Sequence, residues 1–421
     1  MKSFMHGLVY GLCAVAVSLS LGTARAADKT TIVVTHPFTA HNGEVIEAIK
    51  NEFEKENPDI EVKLQLTGDN WEPILQATLR SGIVGDLPDV SHQSLTFTRI
   101  LVDRGLVQPL NAISGGIEGL DAMGLPKSLV EPATFDGKIY ALPFGTTIPV
   151  VYYNMNLLRK AGYAGNELPK TWPEIIDTAK KVAALGNGIN GGYIEYDASN
   201  AWFFQNLVAS VGGRMMKPDE SDIAFDGPKG LRALEILRDF GDAVAADMTK
   251  NQARQAFNAG AIGILIRSAS GVPSILKATK GNFEVQIGEF PVPEANGRIV
   301  GAGHGVVMFA KDPAKQKAVW KYIKFVTGPE GQTILAQETG YMPINMIAVN
   351  DPRYLSKYFE ENPYHRAIVA RLPITSDWYS FPQNTIKIFD MMTEQMRAVL
   401  THEVSPKDAL STMARETRKL L

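Results

Sequence analysis

Aromatic and hydroxyl side chains recur in segments of this sequence that are predicted to be loops. An aromatic ring stacks on the C–H face of a sugar or polyol, while hydroxyl and carboxylate groups hydrogen-bond to its oxygens. These residue types therefore favour a site for a small polyhydroxylated ligand, although packing in the protein core is the alternative role for each ring. The residues are Trp71, Thr146, Thr147, Tyr196, Trp202, Tyr341, Trp378 and Tyr379.

The sequence contains no recognisable catalytic or cofactor motif. Neither a Gly-x-Ser-x-Gly elbow nor a His-Glu-x-x-His pattern occurs. The glycine-rich segment 301–305 lacks the Lys-Ser/Thr pair of a phosphate-binding loop and predicts a close backbone approach at a strand end. His36, His41 and His92 match no standard metal-ligand spacing. We therefore expect no metal and no cofactor, although carboxylate catalysis leaves no motif, so a glycan hydrolase or lyase stays open.

Composition and charge narrow the class of protein. The chain has 421 residues, and about 150 residues per domain predicts two or three domains. Its content of 45% hydrophobic and 21% charged residues is typical of a globular protein with sizeable cores and disfavours disorder. With 42 basic and 45 acidic residues, the net charge is -3, which provides no electrostatic reason to expect a nucleic-acid partner.

The first 26 residues have the pattern of a secretory signal peptide. Lys2 is followed by an apolar run over 7–21 and by the small-x-small pattern of residues 24–26. The run is short for a membrane span, and an uncleaved anchor is the alternative. The single cysteine, Cys13, follows a poor lipidation signal and leaves with the leader. The predicted mature chain is periplasmic and has no cysteine for disulfides.

Strands and helices alternate in the first part of the predicted fold. Residues 31–35 and 60–66 are predicted strands, and a third strand begins near Pro88. Between them, 44–56 and 71–81 have the spacing of helices. This alternation predicts parallel α/β units.

The rest of the sequence also contains both predicted strands and predicted helices. Asp136-Gly137 predicts a tight turn, and 148–153 predicts a buried strand. Thr171 and Glu174 form a predicted capping box at a helix start. No Pro/Gly/Ser-rich linker separates two halves, so we expect two domains to be joined by short crossings. Helical spacing recurs at 228–246, 312–328, 329–339 and 384–400.

The order of several motifs resembles the extracellular solute-binding proteins of ABC importers, a group that includes maltose- and glycerol-3-phosphate-binding proteins. The resemblance covers nearly the whole predicted mature chain, and the TGYMPIN motif with the segment around ENPYHRAIVARLP is most similar to the glycerol-3-phosphate branch. The other motifs, in order, are FEKENPDIEVKL, GDLPDV, DGKIYALPFGTTIPVVYYN, LPKTWPEI, FNAGAIGILIRSAS and WKYIKFVTGPEGQTILAQETGYMPIN.

The resemblance implies a fold and a set of partners. It implies a two-lobe α/β periplasmic-binding-protein fold that closes on a small solute in a central cleft by motion at hinge crossings. The partners would be that solute and the transmembrane subunits of an ABC permease, with the protein itself a monomer. A ligand-binding module for a membrane sensor shares this fold and stays open. The implied lobes are 27–144 with 298–345, and 146–297 with 346–421.

The resemblance also assigns ligand contacts residue by residue. They lie after the second strand, at the first crossing, in the second lobe, in the serine-containing loop, at the glycine pair and in TGY. The full set of candidate ligand-binding residues is Trp71, Glu72, Thr146, Thr147, Tyr196, Trp202, Arg267, Ser268, Gly303, His304, Tyr341 and Tyr379.

One position departs from the pattern. Glycerol-3-phosphate-binding relatives have an RLGN motif whose arginine holds the phosphate, whereas this chain has TSDWYSFPQN, with Tyr379 nearest that position. A buried dianion without a cationic partner is costly. Arg267 or Arg371 would have to substitute, or the ligand is a neutral sugar, polyol or glycoside.

Overall fold

The computed structural model describes residues 29–37, 42–68, 71–165, 167–243, 247–376 and 378–421. The predicted signal peptide, Cys13 and His41 lie outside these residues. Within them, no helix combines the length and the apolar character needed to cross a membrane.

The described chain forms strands and helices throughout. The strands are β1 (Thr30–His36), β2 (Ile60–Leu66), β3 (Val90–Ser94), β4 (Thr134–Phe135), β5 (Lys138–Ile139), β6 (Ala141–Thr147), β7 (Pro149–Asn154), β8 (Asn190–Ile194), β9 (Ile262–Ser268), β10 (Val285–Glu289), β11 (Ile299–Val300), β12 (Ala302–Met308) and β13 (Thr375–Ser376). The helices are α1 (Asn42–Glu56), α2 (Trp71–Val84), α3 (Thr98–Asp103), α4 (Asn111–Ser114), α5 (Gly116–Ala122), α6 (Lys127–Val130), α7 (Met155–Lys160), α8 (Trp172–Ala183), α9 (Trp202–Ser210), α10 (Pro228–Gly241), α11 (Lys250–Asn258), α12 (Val272–Thr279), α13 (Pro313–Thr327), α14 (Pro329–Glu338), α15 (Met346–Asn350), α16 (Ser356–Glu361), α17 (Pro363–Val369), α18 (Thr385–Leu400) and α19 (Pro406–Leu420).

The first sheet has the strand order β2-β1-β3-β12-β6. Its β1 pairs in parallel with β2 and β3, which confirms the predicted parallel units, whereas β12 runs antiparallel to both β3 and β6. A parallel pair needs a crossover, and α1 supplies it. The predicted apolar face of α1 is buried, with Val45, Ile49 and Phe53 at most 2% exposed.

The second sheet has the order β10-β7-β9-β8. Here β7 is antiparallel to β9 and β10, and only β8 with β9 is parallel. All six residues of β7 are buried, as the apolar run at 148–153 predicted. Helix α9 is also buried along its whole length, so this sheet and its helices enclose a separate apolar core.

Two short passages connect the sheets. The chain leaves the first sheet at Thr147 and enters the second at Pro149, with Ile148 between them. It returns between β10 and β12, by way of β11, which pairs with β13. Each lobe is therefore built from separate stretches of the chain, and the two-lobe α/β fold is confirmed.

Local signals in the sequence are also confirmed. Thr171 accepts a bond from the backbone N–H of Glu174, whose side chain accepts from the Thr171 N–H, so the capping box is complete. Asp136 and Gly137 both have positive φ, 49° and 72°, as a tight two-residue hairpin turn between β4 and β5 requires.

The lobe boundaries stay a proposal. We propose the first division between the lobes near residue 145 and the second near 298, where the chain passes from one sheet to the other. The packing of α15 and α16 on α14, through Ala336, Ala348 and Leu355, argues for placing the third division later than 345.

Candidate functional site

A cavity of about 610 Å³ lies between segments that belong to the two lobes. Three of the twelve candidate ligand-binding residues line it, namely Thr146 on β6, Gly303 on β12 and Tyr379 after β13. A methyl group added to Gly303 would come within 2.9 Å of the Leu95 side chain, so the backbone approaches closely here, as the glycine-rich segment predicted. The lining residues are Leu95, Thr96, Arg99, Pro126, Ser128, Leu129, Pro132, Phe135, Pro143, Thr146, Gly301, Gly303, Ile344, Met346, Pro373, Thr375, Ser376, Trp378, Tyr379 and Ser380.

Hydroxyl groups are concentrated at the first crossing. The Thr147 Oγ1 lies 2.9 Å from Ser268 Oγ and accepts a 3.1 Å bond from the Ser270 N–H. The Ser268 and Ser270 hydroxyls are 2.7 Å apart. Thr146 donates to the Ala302 carbonyl at 3.2 Å. The crossing thus brings candidates from β6 and β9 together.

An aromatic cluster surrounds His304. Its ring centroid lies 4.8 Å from that of Trp71 and 4.9 Å from that of Tyr341, with Phe144 at 5.0 Å. His304 is 2% exposed, and neither ring nitrogen has a hydrogen-bond partner among the described residues. Burial lowers the pKa of His304 to about 3, so the ring is neutral at pH 7.

Polar contacts join the lobes beside this cluster. Ser199 donates to Glu72 at 3.3 Å, and the Asn200 side chain donates to Thr96 Oγ1 at 2.5 Å. Asn200 and Ala201 have φ of 56° and 46°, a left-handed conformation that is unfavourable for residues with a Cβ. Such strain persists only where surrounding contacts hold it, and here it lies next to the cleft.

Trp202 and Tyr196 are buried in the core of the second lobe. Trp202 is 3% exposed, and its indole N–H donates to the Val300 carbonyl at 2.9 Å. Tyr196 is 5% exposed and donates to Asp247 at 3.1 Å. Neither side chain is part of the described cavity wall. Trp378, whose ring centroid is 6.3 Å from that of Trp202, does line the cavity.

The two arginines considered as anion partners are occupied elsewhere. Arg267 is 5% exposed, and its Nε lies 3.3 Å from Glu195, which also accepts two bonds from Arg254 at 2.7 and 3.0 Å. Burial alone would raise the pKa of Glu195, but the Arg267 and Arg254 guanidinium groups outweigh it and lower that pKa. Arg371 donates to Glu289 at 2.6 Å.

The sequence analysis missed a charged pair at the cavity. Arg99 on α3 lines the cavity and donates two bonds to Glu220, at 3.0 and 3.1 Å. Tyr379 donates to the same carboxylate at 2.9 Å. These residues are far apart in the chain and no motif surrounds Arg99, so no sequence signal pointed to the pair.

Within the described residues, no group of three or more histidine, cysteine, aspartate or glutamate side chains could hold a metal ion. The geometry instead combines a cavity with hydroxyl groups, aromatic rings and arginines that are already paired with carboxylates. Such a site can bind and release a small molecule.

A family model described as bacterial extracellular solute-binding protein matches residues 48–363. The chain belongs to this family of solute-binding proteins. Among curated relatives, this solute-binding protein is 24% identical to the sn-glycerol-3-phosphate-binding periplasmic protein UgpB of Escherichia coli (strain K12). That alignment spans 436 residues and covers 99% of this chain and 98% of the relative.

Solved structures share the fold of this solute-binding protein. UgpB from Mycobacterium tuberculosis in complex with glycerophosphocholine is 21% identical, has a TM-score of 0.79, and the match covers 91% of this chain and 97% of that one. Maltose-bound MalE3 of T. maritima is also 21% identical, with a TM-score of 0.77 and coverage of 93% and 100%.

The family and its matched relatives are binding proteins. This solute-binding protein is therefore the periplasmic substrate-binding component of an ABC importer, and it delivers a small-molecule solute to the permease subunits. The expected class and location are confirmed.

Proposed function

We propose that this protein binds an uncharged, polyhydroxylated solute, a sugar, polyol or glycoside, in the cavity between its lobes. The observation that carries the proposal is the composition of the cavity wall. Aromatic rings offer stacking faces, and hydroxyl groups offer donors and acceptors, which is the complement of a carbohydrate. The rings are Phe135, Trp378 and Tyr379, and the hydroxyls are those of Thr96, Ser128, Thr146, Thr375, Ser376 and Ser380.

The charged side chains at the cavity, and the arginines considered as anion partners, favour an uncharged ligand. Among the described lining residues, Arg99 is the only charged one, and Glu220 neutralises it. Arg267 and Arg371 are paired with Glu195 and Glu289. Burying a phosphate dianion against groups that are already paired is costly.

One unsatisfied donor also supports a polar ligand. The indole N–H of Trp378, a cavity residue, is buried and has no hydrogen-bond partner among the described residues. Buried donors are nearly always hydrogen-bonded in native proteins, so this N–H favours a ligand that carries an acceptor. A ligand hydroxyl brought in during lobe closure would provide it.

The twelve candidate residues divide into three proposed roles. Thr146, Gly303 and Tyr379 are proposed to contact the ligand in the cavity. Trp71, Glu72, Thr147, Ser268 and Tyr341 are proposed to form the adjoining part of the cleft. The remaining four, Tyr196, Trp202, Arg267 and His304, are proposed to support these groups from the core, where each is at most 5% exposed.

A glycerol-phosphate-type ligand is the second candidate. It is favoured by the names of the curated relatives, which match over 99% of this chain, and by the presence of Arg99 in the wall. It would require Arg99 to exchange Glu220 for the phosphate.

A thermal-shift screen followed by calorimetric titration tests the proposal. The probes are maltose, mannitol, sn-glycerol 3-phosphate and glycerophosphocholine. A true ligand at about one hundred times its Kd adds about 2.7 kcal/mol to the free energy of unfolding. Tight binding of sn-glycerol 3-phosphate with no response to any neutral compound would contradict the neutral-ligand proposal.

We further propose that the protein is not an enzyme. Incubation with oligosaccharides should release no product, whereas turnover would favour the hydrolase or lyase alternative. Stimulation of its permease by the loaded protein would separate import from service to a membrane sensor.

A further inference from the structure

We propose that Glu220 determines the charge specificity of the cavity, because it occupies Arg99 and thereby excludes ligands that carry a phosphate, sulfonate or carboxylate group. This inference rests on the proposed neutral-ligand function and names a residue responsible for it. Glu220 itself is absent from the lining residues of the cavity, and it acts through Arg99 and Tyr379, which are both present there.

The geometry of the pair is bidentate. Arg99 Nη1 donates to Glu220 Oε1 at 3.0 Å, and Nη2 donates to Oε2 at 3.1 Å. This two-bond arrangement is the one through which a guanidinium group would hold a phosphate or carboxylate. Glu220 therefore occupies the Nη1–Nη2 edge of Arg99, one of the two edges through which a guanidinium group binds an anion, and its negative charge offsets the cation that an anionic ligand would need.

Tyr379 is engaged by the same carboxylate. Its hydroxyl donates to Glu220 Oε1 at 2.9 Å, so its proton is not offered to a ligand oxygen. Its backbone is held on the second lobe by Gln205, which accepts from the Tyr379 N–H at 3.0 Å. At the position where the resemblance expects a phosphate-binding arginine, this chain thus presents a tyrosine bound to a negative charge.

The loop that carries Glu220 is structured. Met216 and Ile223 form an antiparallel bridge, and the Glu220 N–H donates to the Lys217 carbonyl at 2.9 Å. Glu220 has a φ of 55°, a conformation that non-glycine residues adopt rarely and that glycine would adopt without strain. From this position its side chain reaches Arg99 on α3 of the other lobe, so the ion pair accompanies a backbone conformation that glycine would adopt more easily.

Replacement of Glu220 by glutamine tests the assignment, because glutamine keeps the shape and removes the charge. The probe is sn-glycerol 3-phosphate, with glycerol as its uncharged counterpart, in calorimetric titrations of the full-length mature protein. Glu220→Gln should bind the phosphate ester at least about tenfold more tightly than the wild type does, as expected for one released charge-assisted contact. Affinity for glycerol should not rise in parallel.

The matched control is the double variant Arg99→Met, Glu220→Gln, which should lose the gain because the cation is gone. Melting of each ligand-free variant shows whether it is folded, and Glu220→Asp provides a second, shorter carboxylate that should keep the phosphate ester excluded. A folded Glu220→Gln protein without increased affinity for sn-glycerol 3-phosphate would overturn the inference, as would a gain that persists without Arg99.

The outcomes also separate this inference from the proposed function. If the wild type binds a neutral compound and no phosphate ester, and Glu220→Gln gains nothing, only the role of Glu220 is wrong. If the wild type already binds sn-glycerol 3-phosphate as tightly as Glu220→Gln does, the neutral-ligand function and the role of Glu220 are both wrong.

Discussion

The hydroxyl oxygen of Thr147 lies 2.9 Å from that of Ser268 at the point where the chain passes from one sheet to the other. Thr147 ends β6, and Ser268 ends β9, so each stands at the last position of a strand from a different sheet. The Ser270 N–H donates to both oxygens, at 3.1 Å each. The crossing is therefore tied to the serine-containing loop by hydrogen bonds as well as by the chain itself.

Thr147→Val should reduce the free energy of unfolding by about 1 kcal/mol, since valine has the same shape but cannot accept from Ser270. Urea denaturation of the ligand-free protein measures the change. Thr393→Val is the control, because the Thr393 hydroxyl donates to the Phe389 carbonyl within the same helix, α18, at 2.9 Å, and its removal should change stability by less than about 0.5 kcal/mol. Equal losses of stability in both variants would show that the Thr147 hydroxyl at the crossing contributes no more than a hydroxyl bonded within a single helix.

Trp202→Ala should lower the stability of the empty protein by about 3 kcal/mol or more, because the indole is 3% exposed and packs in the core. Trp378→Ala removes an indole from the cavity wall and should weaken ligand binding by about 2 kcal/mol, with a smaller loss of stability. Apo melting and calorimetric titration of both variants distinguish the two roles. The reverse pattern would move Trp202 into the ligand site and Trp378 into the core.

Glu195→Gln should destabilise the protein by about 3–5 kcal/mol, since it leaves the Arg254 and Arg267 guanidinium groups without their shared carboxylate. Glu289→Gln removes an exposed partner of Arg371 and should change stability by less than about 1 kcal/mol. Chemical denaturation near pH 7 compares the two. A loss below about 1 kcal/mol for Glu195→Gln would show that the buried cluster contributes little to stability.

The stability of the protein should fall as the pH falls from about 6.5. The folded pKa of His304 is lowered to about 3, whereas an unfolded histidine titrates near 6.5. Between these pH values the histidine is protonated in the unfolded chain and neutral in the folded protein. The free energy of unfolding therefore decreases as the pH falls, by about 1.4 kcal/mol per pH unit. His304→Phe removes this proton uptake and should reduce the slope measured by denaturation at pH 7, 6 and 5. An unchanged slope would contradict a neutral buried His304.

Local features of the chain were accessible to sequence analysis. The apolar spacing of Val45, Ile49 and Phe53 predicted a buried helix face, and Thr171 with Glu174 predicted a capped helix start. Both predictions are confirmed. These patterns depend on interactions among residues a few positions apart, and such interactions repeat wherever the same local structure forms.

Contacts across the cleft were not accessible in this way. Arg99 and Glu220 are 121 residues apart, and Tyr379 lies a further 159 beyond Glu220. No periodic pattern relates their positions, because the pairing depends on how the two lobes face each other. Trp202 was placed among the ligand contacts, and its burial in the core was inaccessible for the same reason, since a tryptophan in a predicted loop suits a core and a ligand site equally.

The sequence by itself determined the class of this protein. The alternation of strands and helices and the order of the motifs led to a two-lobe solute-binding protein, because these are properties of short segments and of their succession along the chain. Only the tertiary structure decided which side chains meet at the cavity and which charges are already neutralised. Arg267 illustrates the difference, since its position suggested an anion partner, and the fold buries it 3.3 Å from Glu195. Electrostatic interactions act through distance in space, and that distance is defined only once the lobes are folded and packed together.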